Sequence, residues 1–332
     1  MFTRQSSIIC VGAGSSQLSL IRAIKKVGYK CIAFDRNPNA PGKSEADFFF
    51  PCSTHDYFRA IKKIAETRNK LKAVMVKAAG YPVMTAAHIA RAFNLDFLKP
   101  DIAEKLIWKN NLVEFSVSNN LKVAPSLTHF TLEDVRPDFL PAVLRPNKDI
   151  RGRSTCYRVN NEAELKGRLN GNSTAGGFTL SKFIEGEDIA LITVFNQDLN
   201  EMRGVWLREL NQFQGDGAIR FDGFKIINVV PDFIIDQATA IVDTIIQQAG
   251  ATRGCFSFAF RVAKDGALYL IEVHPDLGGE FIMDKLIPEY FEQPFLEDLV
   301  QFIAGEIKHI NYLPKVIRPM IQGVSINIPK VS

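Results

Sequence analysis

Residues 254–279 read GCFSFAFRVAKDGALYLIEVHPDLGG. Cys255–Val262 and Ala267–Val273 are apolar runs rich in aromatic and aliphatic side chains, the composition of a pleated, half-buried strand. Between them stands Asp265-Gly266, whose glycine accepts the positive φ of a tight reversal, so the two runs predict an antiparallel hairpin. Side chains alternate across a strand, which points Glu272 and His274 to one face. A single buried Glu is as readily structural as functional. The hairpin around this one makes it a candidate.

Upstream of the hairpin the pattern is strand-rich. Phe178–Phe183 and Ile189–Phe195 flank the turn Glu185-Gly186-Glu187-Asp188, and Val205–Leu210 and Phe224–Val230 are further strands. Asp236–Ala249 has helical periodicity. Pro141–Arg145 and Cys156–Val159 bracket a polar loop, residues 146–155. The mixture predicts an α+β region. The first 95 residues differ. Ser7–Val11, Lys30–Asp35 and Ala73–Val76 read as strands, alternating with helical spacings at Leu18, Ile21, Ile24 and Val27, at Phe58, Ile61 and Ile64, and over Thr85–Phe93. Strand and helix in alternation predict a parallel sheet with crossover helices.

The bulk numbers bound the function. A chain of 332 residues exceeds one ordinary core and implies two or three lobes. The net charge of +4 is mild, and no Lys/Arg stripe interleaved with aromatics is present, so nucleic-acid binding is not indicated. No run of 18 apolar residues predicts a membrane span, and MFTRQSSIICVGAG lacks a signal-peptide pattern. The five cysteines, at 10, 31, 52, 156 and 255, fall at no metal-ligand or redox spacing. They read as reduced thiols of a cytoplasmic protein.

One short motif stands at the first strand-to-helix turn, Gly12-Ala13-Gly14. Glycines there admit a ligand to the backbone, and a helix N-terminus favours anions. Asp35 lies about 20 residues on, where a ribose-binding carboxylate stands in dinucleotide sites, but Gln17 occupies the place of the third glycine. An NAD(P)-dependent oxidoreductase is therefore one alternative.

The segment GAGSSQLSLIRAIKKVGYKCIAFDRNPNAPGKSEADFFF, residues 12–50, resembles the N-terminal lobe of ATP-grasp enzymes, which has a Rossmann-like shape without binding NAD. The hairpin at 254–279 is similar to the metal-binding hairpin of the same superfamily, where the second strand ends in Ile-Glu-x-Asn-Pro-Arg. The resemblance spans about residues 7 to 282. It implies a Rossmann-like parallel-sheet domain over 1–100, an ATP-grasp central or lid subdomain over 101–185 and a C-terminal subdomain over 186–332.

The resemblance also implies roles. Lys109 and Arg145 contact ATP phosphates, Arg145 replacing the usual strand Lys, and Arg151 and Arg153 lie in the phosphate lid. Lys182, Phe183 and Ile184 offer backbone contacts to adenine, with Ser181 in place of an adenine-facing Glu. Asp188 meets the ribose, and Glu272 with His274 holds Mg²⁺ or Mn²⁺. Arg208 is a second candidate, beside Arg145, for neutralising phosphate charge in catalysis. The implied activity is an ATP-dependent ligase joining a small carboxylate to an amine through an acyl phosphate, with a homodimer left open.

Three positions depart from the pattern. His274 replaces Asn, and imidazole suits Mn²⁺ or Zn²⁺ better than Mg²⁺. Asp276 replaces Arg. Counting about twelve residues back from Glu272, the first-strand ligand falls on Phe260, which cannot hold a metal. These departures sustain a second alternative, a degenerate ATP-grasp protein that binds a nucleotide or metabolite without ligation.

Overall fold

The computed structural model describes residues 6–148, 155–171, 176–278 and 281–316. The chain begins with β1 (Ser6–Val11), α1 (Leu18–Lys26), β2 (Lys30–Asp35), β3 (Phe48–Pro51), α2 (Tyr57–Glu66), β4 (Lys70–Val76) and α3 (Tyr81–Phe93). The four strands form one parallel sheet in the order β3-β2-β1-β4. Strand alternation gives the sheet two apolar faces. Ile9, Ile32, Phe34 and Val74 face one core, and Ile8, Cys10, Cys31 and Met75 face another.

Two helices, α4 (Pro100–Ile107) and α5 (Lys109–Ser118), lead into a second, antiparallel sheet. It comprises β5 (Ser126–Leu127), β6 (Ala142–Pro146), β7 (Tyr157–Val159) and β8 (Phe178–Lys182), ordered β5-β8-β6-β7, with α6 (Glu162–Gly171) beside it. Leu144, Val159, Leu165 and Leu180 give it a small core of its own.

The third sheet contains β9 (Gly186–Asn196), β10 (Glu201–Phe213), β11 (Ile219–Ile226), β12 (Arg253–Ala263) and β13 (Leu268–His274), with α7 (Asp232–Ala249) inserted after β11. Its order is β11-β10-β9-β12-β13. The expected hairpin forms: β12 and β13 pair antiparallel, and the Gly266 N–H donates to Ala263 O across the turn. The strand expected over Phe224–Val230 ends at Ile226, because Pro231 stands just before the first turn of α7.

Phe256, Phe258 and Phe260 point from β12 into the core shared with α3, α4 and α7, while Ala190, Ile192, Val205 and Leu207 face the opposite side. Gly186 lets β9 start against the end of β12, since a Cβ there would sit 1.9 Å from Val262 O. After β13 come a π-helix (Ile282–Leu286), α8 (Ile287–Phe291) and α9 (Phe295–Ile303). The apolar side of α9 (Phe295, Leu299, Val300) packs with Leu20, Ile21 and Ile24 of α1, so the late helices close the N-terminal sheet. No helix among the described residues is long and apolar enough to cross a membrane, and all five cysteines are buried and form no disulfide with one another.

Candidate active site

The site lies over the face of the third sheet that carries the small side chains Ala190 and Ala259. Two cavities meet there. The first holds about 950 Å³ of empty space between the β8–β9 connection and the β12–β13 hairpin. Val143, Phe183, Ile184 and Leu270 give it apolar walls, with Arg145 and Glu272 at one end and Asp188 and Arg261 at the other. The second is wider, about 2300 Å³ open to solvent, and runs towards the C-terminal end of β4. Leu112, Glu209, Ile219, Ala259 and Glu272 line both.

Glu272 is the centre of the charge arrangement. Its Oε1 lies 2.6 Å from Lys109 Nζ, at the start of α5, and its Oε2 lies 3.0 Å from His274 Nε2. Burial pushes the Glu272 carboxyl up, but Lys109, the His274 hydrogen bond and Arg145 outweigh it and hold the group well below the ordinary carboxylate range. His274 is the reverse case: burial lowers it, and Glu272 with Asp276 raises it above the ordinary histidine value.

Arg145 is buried on β6. Its Nη2 donates to Ser181 Oγ (3.0 Å) and its Nη1 to Ile271 O (3.2 Å), while Nε has no partner among the described residues. Ser181 thus holds the arginine where the pattern has a glutamate, and Ser126 Oγ braces Ser181 at 2.8 Å.

The β8–β9 connection supplies less than expected. The Lys182 N–H donates to Pro125 O (2.8 Å) and the Phe183 N–H to Pro141 O (2.9 Å). Ile184 N–H, on the cavity wall, has no partner among the described residues. Asp188 is engaged by protein: Arg261 approaches it with two nitrogens at 2.6 and 2.7 Å, and Asn211 donates at 2.7 Å. Arg261 also donates to Ile184 O and so ties the connection to β12.

Arg208 is not brought to the cavities. Along β10, Val205, Leu207 and Glu209 share the cavity face, so Trp206 and Arg208 point away, and Arg208 pairs with Glu187 at 3.1 Å. Sequence reasoning missed Glu209. The signal was present, because an apolar alternation that ends in a carboxylate places that carboxylate at the rim of a buried face. Arg151 and Arg153 lie outside the described residues.

The expected position of the first-strand ligand also shifts. The hairpin pairs Ala259, not Phe260, with Glu272: Phe260 pairs with Leu270, and the bulge between Ala259 and Phe260 moves the partner of Glu272 from Phe258 to Ala259. Phe260 is a fully buried core ring whose truncation to Ala would cost about 3–5 kcal/mol. Ala259 has no donor atom. Glu272 is therefore the one carboxylate that the β12–β13 hairpin presents at this pairing, and Lys109 and His274 already hold it. No group of three or more His, Cys, Asp or Glu that could hold a metal ion occurs among the described residues. Glu272 and His274 do not fit a resident divalent metal, which needs several oxygen ligands.

The glycine turn of the N-terminal sheet is closed by its own lobe. The Ala13 N–H donates to Asp35 Oδ2 (3.2 Å), the Gly14 N–H to Gln17 Oε1 (3.1 Å) and the Gly42 N–H to Ala13 O (2.7 Å). Gly42 sits so near that a Cβ would meet Ile21 at 2.6 Å. The donors a pyrophosphate would use are occupied, and Asp35 caps the turn instead of a ribose. The dinucleotide alternative fails on this geometry.

No family model matches the sequence, and no curated protein matches it. Solved structures do. An L-amino acid ligase from Bacillus licheniformis superposes with a TM-score of 0.74 at 19% identity, over 92% of this chain and 77% of that one. Phosphoribosylglycinamide synthetase from Anaerococcus prevotii gives 0.68 at 18%, over 91% and 75%. N5-carboxyaminoimidazole synthetase from Staphylococcus aureus, complexed with ADP, gives 0.71 at 16%, over 92% and 79%. The chain has the ATP-grasp fold. The residues that line the two cavities come from the second and third sheets, from α4 and α5 and from the turns that follow β1 and β4, and Arg145, Lys109 and Glu272 converge where the cavities meet.

Proposed function

We propose that the chain binds ATP in the narrower cavity and works as an ATP-dependent carboxylate–amine ligase. The reading rests on one observation: a narrow, largely apolar slot and a wide chamber share a wall at Ala259, Glu209 and Glu272, with two cations beside it. A flat purine fits apolar walls, and the Ile184 N–H, without a partner among the described residues, is a donor for a ring nitrogen at its edge. Lys109 and Arg145 then neutralise phosphate charge at the shared wall, where a carboxylate in the wide chamber would meet the γ-phosphate. Positioning and charge neutralisation are what phosphoryl transfer needs most.

In the reaction a substrate carboxylate oxygen bonds to the γ-phosphorus as the bond to the bridging oxygen breaks and ADP leaves. The amine nitrogen then bonds to the acyl carbon, phosphate departs, and the surplus proton passes to solvent. The first cavity's Asp188–Arg261 pair shapes the slot rather than taking the ribose alone. The test is ADP release screened against pools of carboxylates and amines in buffers containing Mg²⁺ or Mn²⁺.

Ala259 favours a second reading, a nucleotide-binding protein without ligation, because it gives no second carboxylate opposite Glu272. ATP binding with no turnover for any carboxylate and amine selects that reading.

A further inference from the structure

Ser126, Val143, Arg145 and Ser181 stand on one face of the second sheet. Ser126 pairs with Ser181 across β5 and β8, and Val143 pairs with Ser181 across β6 and β8. Strand alternation sends Leu144 and Leu180 into the small core and these four towards the slot, which all of them line. Arg145 is two residues beyond Val143, diagonal to Ser181, and its long side chain reaches the hydroxyl.

The protons along this row have one arrangement. Ser126 Oγ lies 2.8 Å from Ala124 O and 2.8 Å from Ser181 Oγ. A serine hydroxyl has one proton to donate, and a carbonyl oxygen has none. The Ser126 proton therefore goes to Ala124 O, and the Ser181 proton goes to Ser126 Oγ. That leaves the lone pairs of Ser181 Oγ to accept from Arg145 Nη2 at 3.0 Å. Hydrogen bonds that run one way along a chain polarise one another, so each link strengthens the next. Ser126 is the acceptor that fixes the Ser181 proton. With it gone, the Ser181 hydroxyl turns freely and its lone pairs are no longer aimed at the guanidinium.

The groups that hold Arg145 are neutral. Its Nη1 donates to Ile271 O at 3.2 Å, so the partners it has among the described residues are a hydroxyl on β8 and a carbonyl on β13. Anchors on two sheets give the planar fork one orientation. Lys109, the other cation at the shared wall, is paired with Glu272. A carboxylate in the place of Ser181 would fix the guanidinium as firmly but cancel its charge. A hydroxyl fixes it and leaves the charge to attract an anion.

We propose that Ser126 is a positioning residue for the nucleotide: acting through Ser181, it holds the uncancelled charge of Arg145 at the phosphate end of the slot. The assignment rests on the nucleotide-binding part of the reading above. Arg145 touches the phosphates, and the two serines act through it.

Calorimetric titration of the whole chain with ATP and with adenosine, in one Mg²⁺ buffer, tests it. Ser126→Ala weakens ATP binding roughly fivefold and Ser181→Ala roughly tenfold, as expected for loss of hydrogen bonds to a charged group. Adenosine, which lacks the phosphates, binds each variant as it binds the parent, and this also shows that the variants fold. The double variant is no weaker than Ser181→Ala alone, because Ser126 reaches Arg145 only through Ser181. Ser126→Thr, which keeps the hydroxyl, binds ATP as the parent does. Equal losses for ATP and adenosine mean that the serines only shape the slot, and they overturn the proposal. So do additive losses in the double variant, which mean that Ser126 touches the nucleotide directly, and unchanged ATP affinity in Ser126→Ala. A parent that binds neither ligand removes the nucleotide-slot reading and the proposal with it. A parent that binds both, with serine variants that match it, removes the relay alone.

Discussion

Lys109 Nζ and Glu272 Oε1 are 2.6 Å apart, joining the first turn of α5 to the end of β13 across 163 residues of sequence. The carboxylate that the hairpin presents is thereby neutralised before any ligand arrives. His274, on the other oxygen, adds a second hydrogen bond. Both lone carboxylate oxygens face groups that compete with a metal ion.

Mn²⁺ or Mg²⁺ alone is therefore expected to leave the melting temperature unchanged at millimolar concentration, since a ligand stabilises a fold only by binding it. Differential scanning calorimetry with metal and no nucleotide checks this. A rise of several degrees would mean that Glu272 leaves Lys109 for the metal.

ATP or ADP should raise the melting temperature, and NADH should not. The Ala13 and Gly14 N–H groups are committed to Asp35 and Gln17, while the slot beside Ile184 is open. Thermal shift with each nucleotide at equal concentration decides it. Stabilisation by NADH alone would reverse the assignment of both lobes.

Asp188 and Arg261 are each largely buried, at 10% and 14% side-chain exposure, and meet through two nitrogens. Removing one partner strands the other charge. Asp188→Ala is expected to destabilise by about 2–4 kcal/mol, and Asp188→Asn, which keeps acceptor and shape, by less. Urea unfolding midpoints give both numbers. A loss below about 0.5 kcal/mol for Asp188→Ala would show the pair to be no more than a surface contact.

What was legible in the sequence was local. The β12–β13 hairpin follows from Asp265-Gly266 and two short apolar runs, and the parallel sheet from alternation within 95 residues. Pairings between distant segments were not. Nothing near Asp188 announces that Arg261, 73 residues on, will take its carboxylate, nor that Gln17 and Gly42 will close the glycine turn. Counting residues back from Glu272 gave Phe260, which pairs with Leu270 instead; a bulge, invisible in a count, moves the partner of Glu272 from Phe258 to Ala259 and so changes the face. Arg208 was drawn to phosphate by its charge, when the burial of Val205 and Leu207 on the opposite face already turned it away. The late helices, residues 282–303, had no part in the reading although they complete the core around α1.

The Glu272–His274 pair makes stability depend on pH in two directions. His274 titrates above its ordinary value of 6.5 in the folded chain, so its stabilising pairing is complete below 6.5 and is lost as pH rises through the folded value. Glu272 titrates well below 4.5, so its contribution is complete above 4.5 and is lost as pH falls through the folded value. The melting-temperature gap between parent and His274→Asn should be widest below pH 6.5 and close on the alkaline side. The gap between parent and Glu272→Gln should narrow on the acid side. A gap for His274→Asn that grows with pH would mean the imidazole is neutral beside Glu272.

The last prediction builds the site that the chain lacks. Ala259 is paired with Glu272 across β12 and β13, and directly opposed residues put their Cβ atoms about 4.5–5.5 Å apart on one face. Both line the two cavities, so a side chain added at 259 projects into open space. Ala259→Asp places a second carboxylate within reach of Glu272, and two carboxylates sharing one cation are the oxygen-rich arrangement that Mg²⁺ and Mn²⁺ require. Without metal the like charges repel, and the variant should melt below the parent. With Mn²⁺ it should recover, giving a metal-dependent shift that the parent does not show. Adding His274→Asn supplies an amide oxygen in place of a nitrogen ligand and should move the preference from Mn²⁺ towards Mg²⁺. Calorimetric titration of both metals into the parent, the single variant and the double variant measures this directly. If Ala259→Asp binds neither metal, Lys109 still holds Glu272, and Lys109→Met in the same background should then release the carboxylate and restore metal binding.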